Sequence, residues 1–142
     1  MLVTDGDGTP LAAQISSASP AAVTLIEATL ARISVSRKGQ PGRPRNRPAR
    51  LIADRGYDSN PLRRRLARRG IQPIPARSTS LHATHQDRRC LRRYRRRWRV
   101  ERTFAWLLSY RRVTVRWERL DRMYEAFVRL ACSMIVLAKV LK

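Results

Sequence analysis

A chain of 142 residues with 43% apolar side chains is long enough for one domain with its own core, which excludes a wholly disordered basic tail. Lys and Arg total 31 against 10 Asp and Glu, a formal charge of +21, and 28 of the 31 bases are arginine. The forked guanidinium suits phosphate, so this charge points to nucleic acid or an anionic surface rather than to simple solubility.

The charge is uneven. Residues 1–36 carry one base and three acids, net −2, while residues 37–142 carry 30 bases and seven acids, net +23. Cys90 and Cys132 form no CxxC pair, so a disulfide framework is not expected and a reduced, cytoplasmic setting is. The start of the chain has neither the basic nor the apolar region of a signal peptide. The longest mainly apolar run, residues 130–138, is too short to cross a bilayer, so no membrane partner is expected.

In chain order, residues 1–4 read as the end of a strand, and Asp5-Gly-Asp-Gly8 as the turn of a hairpin. Residues 9–15 read as the returning strand. The chain thus reads as opening in the middle of a hairpin, and a strand before it is expected to be absent. Ser19 and Pro20 suit a helix start, and Val23, Ile26, Leu30 and Ile33 follow at helical spacing. Residues 36–50 mix Pro, Gly and Arg and read as a basic loop, either a solvated spacer or an arm along a phosphate backbone. Leu51-Ile-Ala53 is a short buried-strand candidate ending at Asp54. A helix is expected over 59–69, capped by Ser59 or Asn60 and closed by Gly70. Residues 71–74 read as a strand, 75–88 as a loop, 91–109 as a long basic helix and 113–117 as a brief extended piece. Within residues 118–142, a C-terminal helix is expected to bury or dock its apolar face. The order β–β–α–β–α–β–α–α predicts an α/β layer structure.

Two acids stand out against the basic background. With Glu101 set at zero on a helical wheel, Tyr94, Trp98, Ala105, Leu108 and Phe104 fall within roughly 60° of it. Glu101 is therefore expected near the middle of an apolar arc, with Arg97 one turn before it. A carboxylate facing a core needs a partner. Two readings stay open: an ion pair with Arg97, or a metal ligand or catalytic acid. Asp54 follows a strand of small or apolar residues, and ligands of open α/β sheets bind at carboxyl strand ends. An Asx-turn is the structural alternative, and Asp58 and Ser59 rank below it, as helix caps. Two such acids in a stretch of net +23 suit a divalent-cation site acting on phosphodiesters. Mg²⁺ or Mn²⁺ is expected, as two ions about 4 Å apart in the complete site.

At Leu51-Ile-Ala-Asp-Arg-Gly-Tyr-Asp58 and at Tyr94-Arg-Arg-Arg-Trp-Arg-Val-Glu-Arg-Thr-Phe-Ala-Trp106, followed by Tyr110-Arg-Arg112, the sequence resembles the C-terminal part of bacterial insertion-sequence transposases of the DDE class. The likeness is to the insertion-sequence-five-like group with the Y-R-E-K signature. The opening residues 2–11 resemble that family's second and third strands. The resemblance implies a ribonuclease-H-like three-layer fold lacking its first strand, as a single partial catalytic domain over residues 1–142. It implies that Asp54 is the second acid of the triad and Glu101 the third, both binding metal. Tyr94 and Arg97 match the signature, and its final Lys falls on Leu108. Arg93, Arg96, Arg97 and Tyr94 are then expected DNA contacts, with Arg111 and Arg112 standing in for the Lys.

The implied reaction is metal-dependent hydrolysis at element ends, followed by attack of the freed 3′-OH on target DNA. The partner is double-stranded DNA, element ends and target, in a nucleoid-associated bacterial protein, alone as a homo-oligomer or together with intact transposase. Asp5 and Asp7 match a turn and not the first triad acid, so the chain is expected to be a fragment or second-frame product inactive by itself. The competing reading is a non-catalytic basic DNA-binding protein, or a regulator of an intact transposase. His82, His85 and Cys90 lack a fourth zinc ligand at normal spacing. Of the three tryptophans, which could stack on bases, Trp98 is expected in the core and Trp106 outside it.

Overall fold

The computed structural model describes residues 1–17, 21–36, 39, 41–57, 59–74 and 95–141. They form a mixed α/β structure with two small sheets. Two compact units result: residues 1–46 with 99–142, and residues 47–98.

The first unit opens with strands β1 (Leu2–Thr4) and β2 (Pro10–Ala13), paired antiparallel in the register Leu2 to Ala13. The turn between them is fixed by Asp5, whose carboxylate accepts the amides of Asp7 and Thr9, both at 2.8 Å. Gly8 completes it at φ +77°, a conformation that favours a residue without Cβ. Helix α1 (Leu25–Ala31) follows a short 3₁₀ turn and buries Ile26, Thr29 and Leu30. The expected cap at Ser19 and Pro20 lies outside the described residues.

Helix α3 (Trp98–Leu108), helix α4 (Arg111–Thr114) and helix α5 (Asp121–Val140) complete this unit from Arg99 onward. Leu107, Val113, Val128, Ala131 and Ile135 form its core, with Leu2, Ala13, Ile15, Tyr110 and Tyr124 packed around them. The extended piece that the sequence predicts over 113–117 starts as helix instead. Val113 and Thr114 close a helical turn on Tyr110, and Tyr124 donates its hydroxyl hydrogen to the Val113 carbonyl at 2.7 Å. The C-terminal helix buries only one stripe, Val128, Ala131 and Ile135, while Leu130, Met134 and Leu137 are exposed.

The second unit is a β–α–β element. Strand β3 (Arg50–Ile52) pairs parallel with β4 (Gln72–Ile74), and helix α2 (Asn60–Arg68) connects them. A parallel pair needs such a crossover. Ser59 caps α2 by accepting the Leu62 amide, as its sequence position predicts. At the other end Gly70 takes φ +69°. Its amide reaches the Ala67 carbonyl at 2.8 Å, and the Ile71 amide reaches the Leu66 carbonyl at 2.9 Å. This is the paired closure that glycine permits after a helix. Leu62, Leu66, Ile71 and Ile74 are buried.

Candidate nucleic-acid and metal site

Asp54 sits two residues past the end of β3, where its carbonyl accepts the Tyr57 amide at 3.0 Å to start a 3₁₀ turn over Arg55–Tyr57. The carboxylate is directed outward, with 56% of the side chain exposed. It pairs with Arg97, whose guanidinium lies 2.7 Å away. Asp54 is therefore the carboxylate at the carboxyl end of a parallel strand, a place where α/β sheets bind ligands. Arg97 comes from the turn Arg95–Arg97, which also presents Arg96 to solvent.

Glu101 lies in the first turn of α3 and is exposed. That corrects the expectation of an inward-facing carboxylate. The buried side chains of α3 are Thr103 and Leu107, which lie roughly 160° and 120° from Glu101 on the wheel. Thr103 sets this orientation: its hydroxyl lies 2.7 Å from the Gly8 carbonyl and 3.0 Å from the Arg99 carbonyl. Trp98, expected in the core, is 50% exposed for the same reason. Trp106 is on the surface as expected, with Arg102 4.9 Å and Lys139 5.7 Å from its ring centre.

Arg111 and Arg112 are exposed on α4; Arg112 pairs with Glu118 at 3.2 Å and lies over the Phe127 ring. Arg93, Tyr94, Asp58, His82, His85 and Cys90 lie outside the described residues. The structure thus brings together Asp54 with Arg97 in the second unit, while Glu101, Arg111 and Arg112 belong to the first. Asp7, read from sequence only as a turn residue, accepts an ion pair from Arg99 at 2.8 Å. Its backbone carbonyl accepts from Lys139. The sequence signal for that pairing is weak, because 92 residues separate the partners of the ion pair.

Burial and hydrogen bonding shift the titration of side chains elsewhere in the first unit. Partial burial pushes the Asp5 carboxyl up, but its hydrogen bonds from Thr9 and Asp7 outweigh this and hold it below its ordinary value. Arg129 and Arg32 hold the Glu125 carboxyl below its usual range, and burial raises the Cys132 thiol. None of these three is a triad candidate.

Among the described residues, no three His, Cys, Asp or Glu side chains gather as a metal-binding group. A hard cation such as Mg²⁺ does not require three: one or two carboxylates with water and substrate phosphate suffice. Carboxylate oxygen is also the donor type it prefers, so Asp54 and Glu101 fit the ion by their chemistry. No helix among the described residues is long and apolar enough to cross a membrane.

The second unit is thus a parallel β–α–β element with an exposed acid just after its first strand, in an arginine-rich chain of mixed α/β structure. The family model of the transposase DDE domain matches residues 1–136, and the chain belongs to that family. It is 42% identical over 134 residues to a protein of Burkholderia cepacia titled "Putative transposase for insertion sequence element IS402". The match covers 94% of this chain and 60% of that protein, so the chain spans about three fifths of the relative's length. No solved structure matches it.

Proposed function

We propose that this chain supplies two of the metal-binding acids, Asp54 and Glu101, to a transposase that cuts DNA at element ends and joins them to a target. The position of Asp54 carries the reading: an exposed carboxylate at the carboxyl end of a parallel strand, held by Arg97 at 2.7 Å. The hairpin, α1 and the parallel β–α–β element follow one another in the order the ribonuclease-H-like reading requires. Membership of the DDE family supports the same chemistry.

In this mechanism Asp54 and Glu101 bind Mg²⁺ or Mn²⁺. The ion they would hold would supply Lewis-acid activation of the phosphodiester and of the attacking oxygen. Arg97 orients Asp54. Arg96, Arg111 and Arg112, with Arg93 and Tyr94, hold phosphates of the element ends and target. No covalent protein–DNA intermediate is required. The protein works on double-stranded DNA, as a homo-oligomer or with further transposase chains.

The test is metal-dependent strand cleavage of a duplex carrying the element's ends, by transposase containing this chain. Asp54→Asn and Glu101→Gln are each expected to abolish cleavage while leaving DNA binding intact. Cleavage at the wild-type rate by either variant would refute the assignment.

A further inference from the structure

The loop joining α4 to α5, residues 115–120, carries the most exposed aromatic side chain among the described residues: 75% of Trp117 faces solvent. The loop is built to hold it there. Arg116 donates to the Glu118 carbonyl at 2.9 Å and to the Arg119 carbonyl at 3.4 Å, pairs with Asp121, and lies over the Tyr124 ring. Glu118 is fixed in turn by Arg112 and accepts the Trp117 amide at 3.2 Å. Glu118 in the loop and Asp121 at the start of α5 are thus both engaged in holding the loop. Arg111, Arg119 and Arg122, exposed on the loop and its two flanking helices, make no side-chain hydrogen bond or ion pair among the described residues.

We infer that Trp117 is a stacking platform for an unpaired nucleobase, with Arg119, Arg122 and Arg111 receiving the phosphates on either side. A projected aromatic among unsatisfied guanidiniums is what single strands bind, since every base offers a π-face and every linkage a charge. The locked loop lets the indole stack with little ordering cost. A protein partner covering Trp117 would meet three uncompensated positive charges, which the chain's +21 makes self-association ill suited to satisfy. The inference deepens the DNA-handling reading above by naming where a separated strand is held, and it does not depend on Asp54 or Glu101.

The experiment is fluorescence-anisotropy titration of the purified chain with a short labelled single strand and with the same strand made abasic. Trp117→Ala is expected to weaken binding to the normal strand about tenfold, Trp117→Phe about twofold, with the salt slope of binding unchanged. On the abasic strand, Trp117→Ala and wild type should bind alike, which a merely structural role would not produce. Arg119→Gln with Arg122→Gln should instead lower the salt slope by about 1.4, roughly 0.7 for each phosphate no longer neutralised. Unfolding midpoints in urea establish that the variants fold. Equal binding of the normal strand by wild type and Trp117→Ala overturns the proposal, as does an equal loss on both strands. The titration is run without divalent metal, so failure here and failure of the metal site are separable.

Discussion

Asp5 and Asp54 show how one residue type takes two roles in this chain. Asp5 turns its carboxylate onto two backbone amides, and that bonding depresses its pKa below the ordinary value. A carboxyl with a depressed folded-state pKa adds stability above its unfolded pKa and loses it as pH falls through the folded value. The stability gap between wild type and Asp5→Asn should therefore be constant above about pH 5 and shrink below about pH 4 in urea melts. Asp54 is turned outward and shares its charge with Arg97. A guanidinium on a ligand carboxylate opposes an incoming cation, so Arg97→Ala should tighten Mn²⁺ binding by about two- to fivefold without DNA, the range of an exposed ion pair. The same substitution should weaken DNA binding, and titration of each ligand in turn checks both signs.

Among the elements, the hairpin turn and α3 fix each other. A Cβ on Gly8 would stand 3.0 Å from the Thr103 hydroxyl and 3.2 Å from the Arg99 carbonyl, on a residue already at φ +77°. Gly8→Ala should cost about 2 kcal/mol, read as a lowered urea midpoint at unchanged slope, because backbone strain and steric crowding add. The same close approach explains what the sequence left illegible. The Asp-Gly turn, the Ser59 cap, the Gly70 closure and the β–α–β order were all readable, since each rests on chemistry within a few residues. The facing of α3 was not. Its bulky residues Trp98, Phe104 and Leu108 cluster around Glu101, so a wheel weighted by size puts that arc inside. The side chain that docks is the small polar Thr103, whose partner lies 95 residues away. The C-terminal helix is apolar on two sides, and only one of them is buried.

Over the whole molecule, charge is spread unevenly along the chain while buried residues come from both ends of it. The near-neutral first 36 residues supply a hairpin and a buried helix, and the arginines gather in the later segments that carry both candidate acids. The position of Asp54 just past a strand was legible because a short apolar run followed by acid and glycine is a local pattern. Its pairing with Arg97, 43 positions on, was not, since the sequence placed Arg97 beside Glu101 instead. The proposed function stands or falls on whether Asp54 and Glu101 serve one cation. Mn²⁺ titration of the chain bound to DNA, followed by the paramagnetic signal of free Mn²⁺, decides this. Asp54→Ala and Glu101→Ala are each expected to lose the site, with the double variant no worse than either alone. Wild-type Mn²⁺ affinity in either single variant would contradict a shared ion.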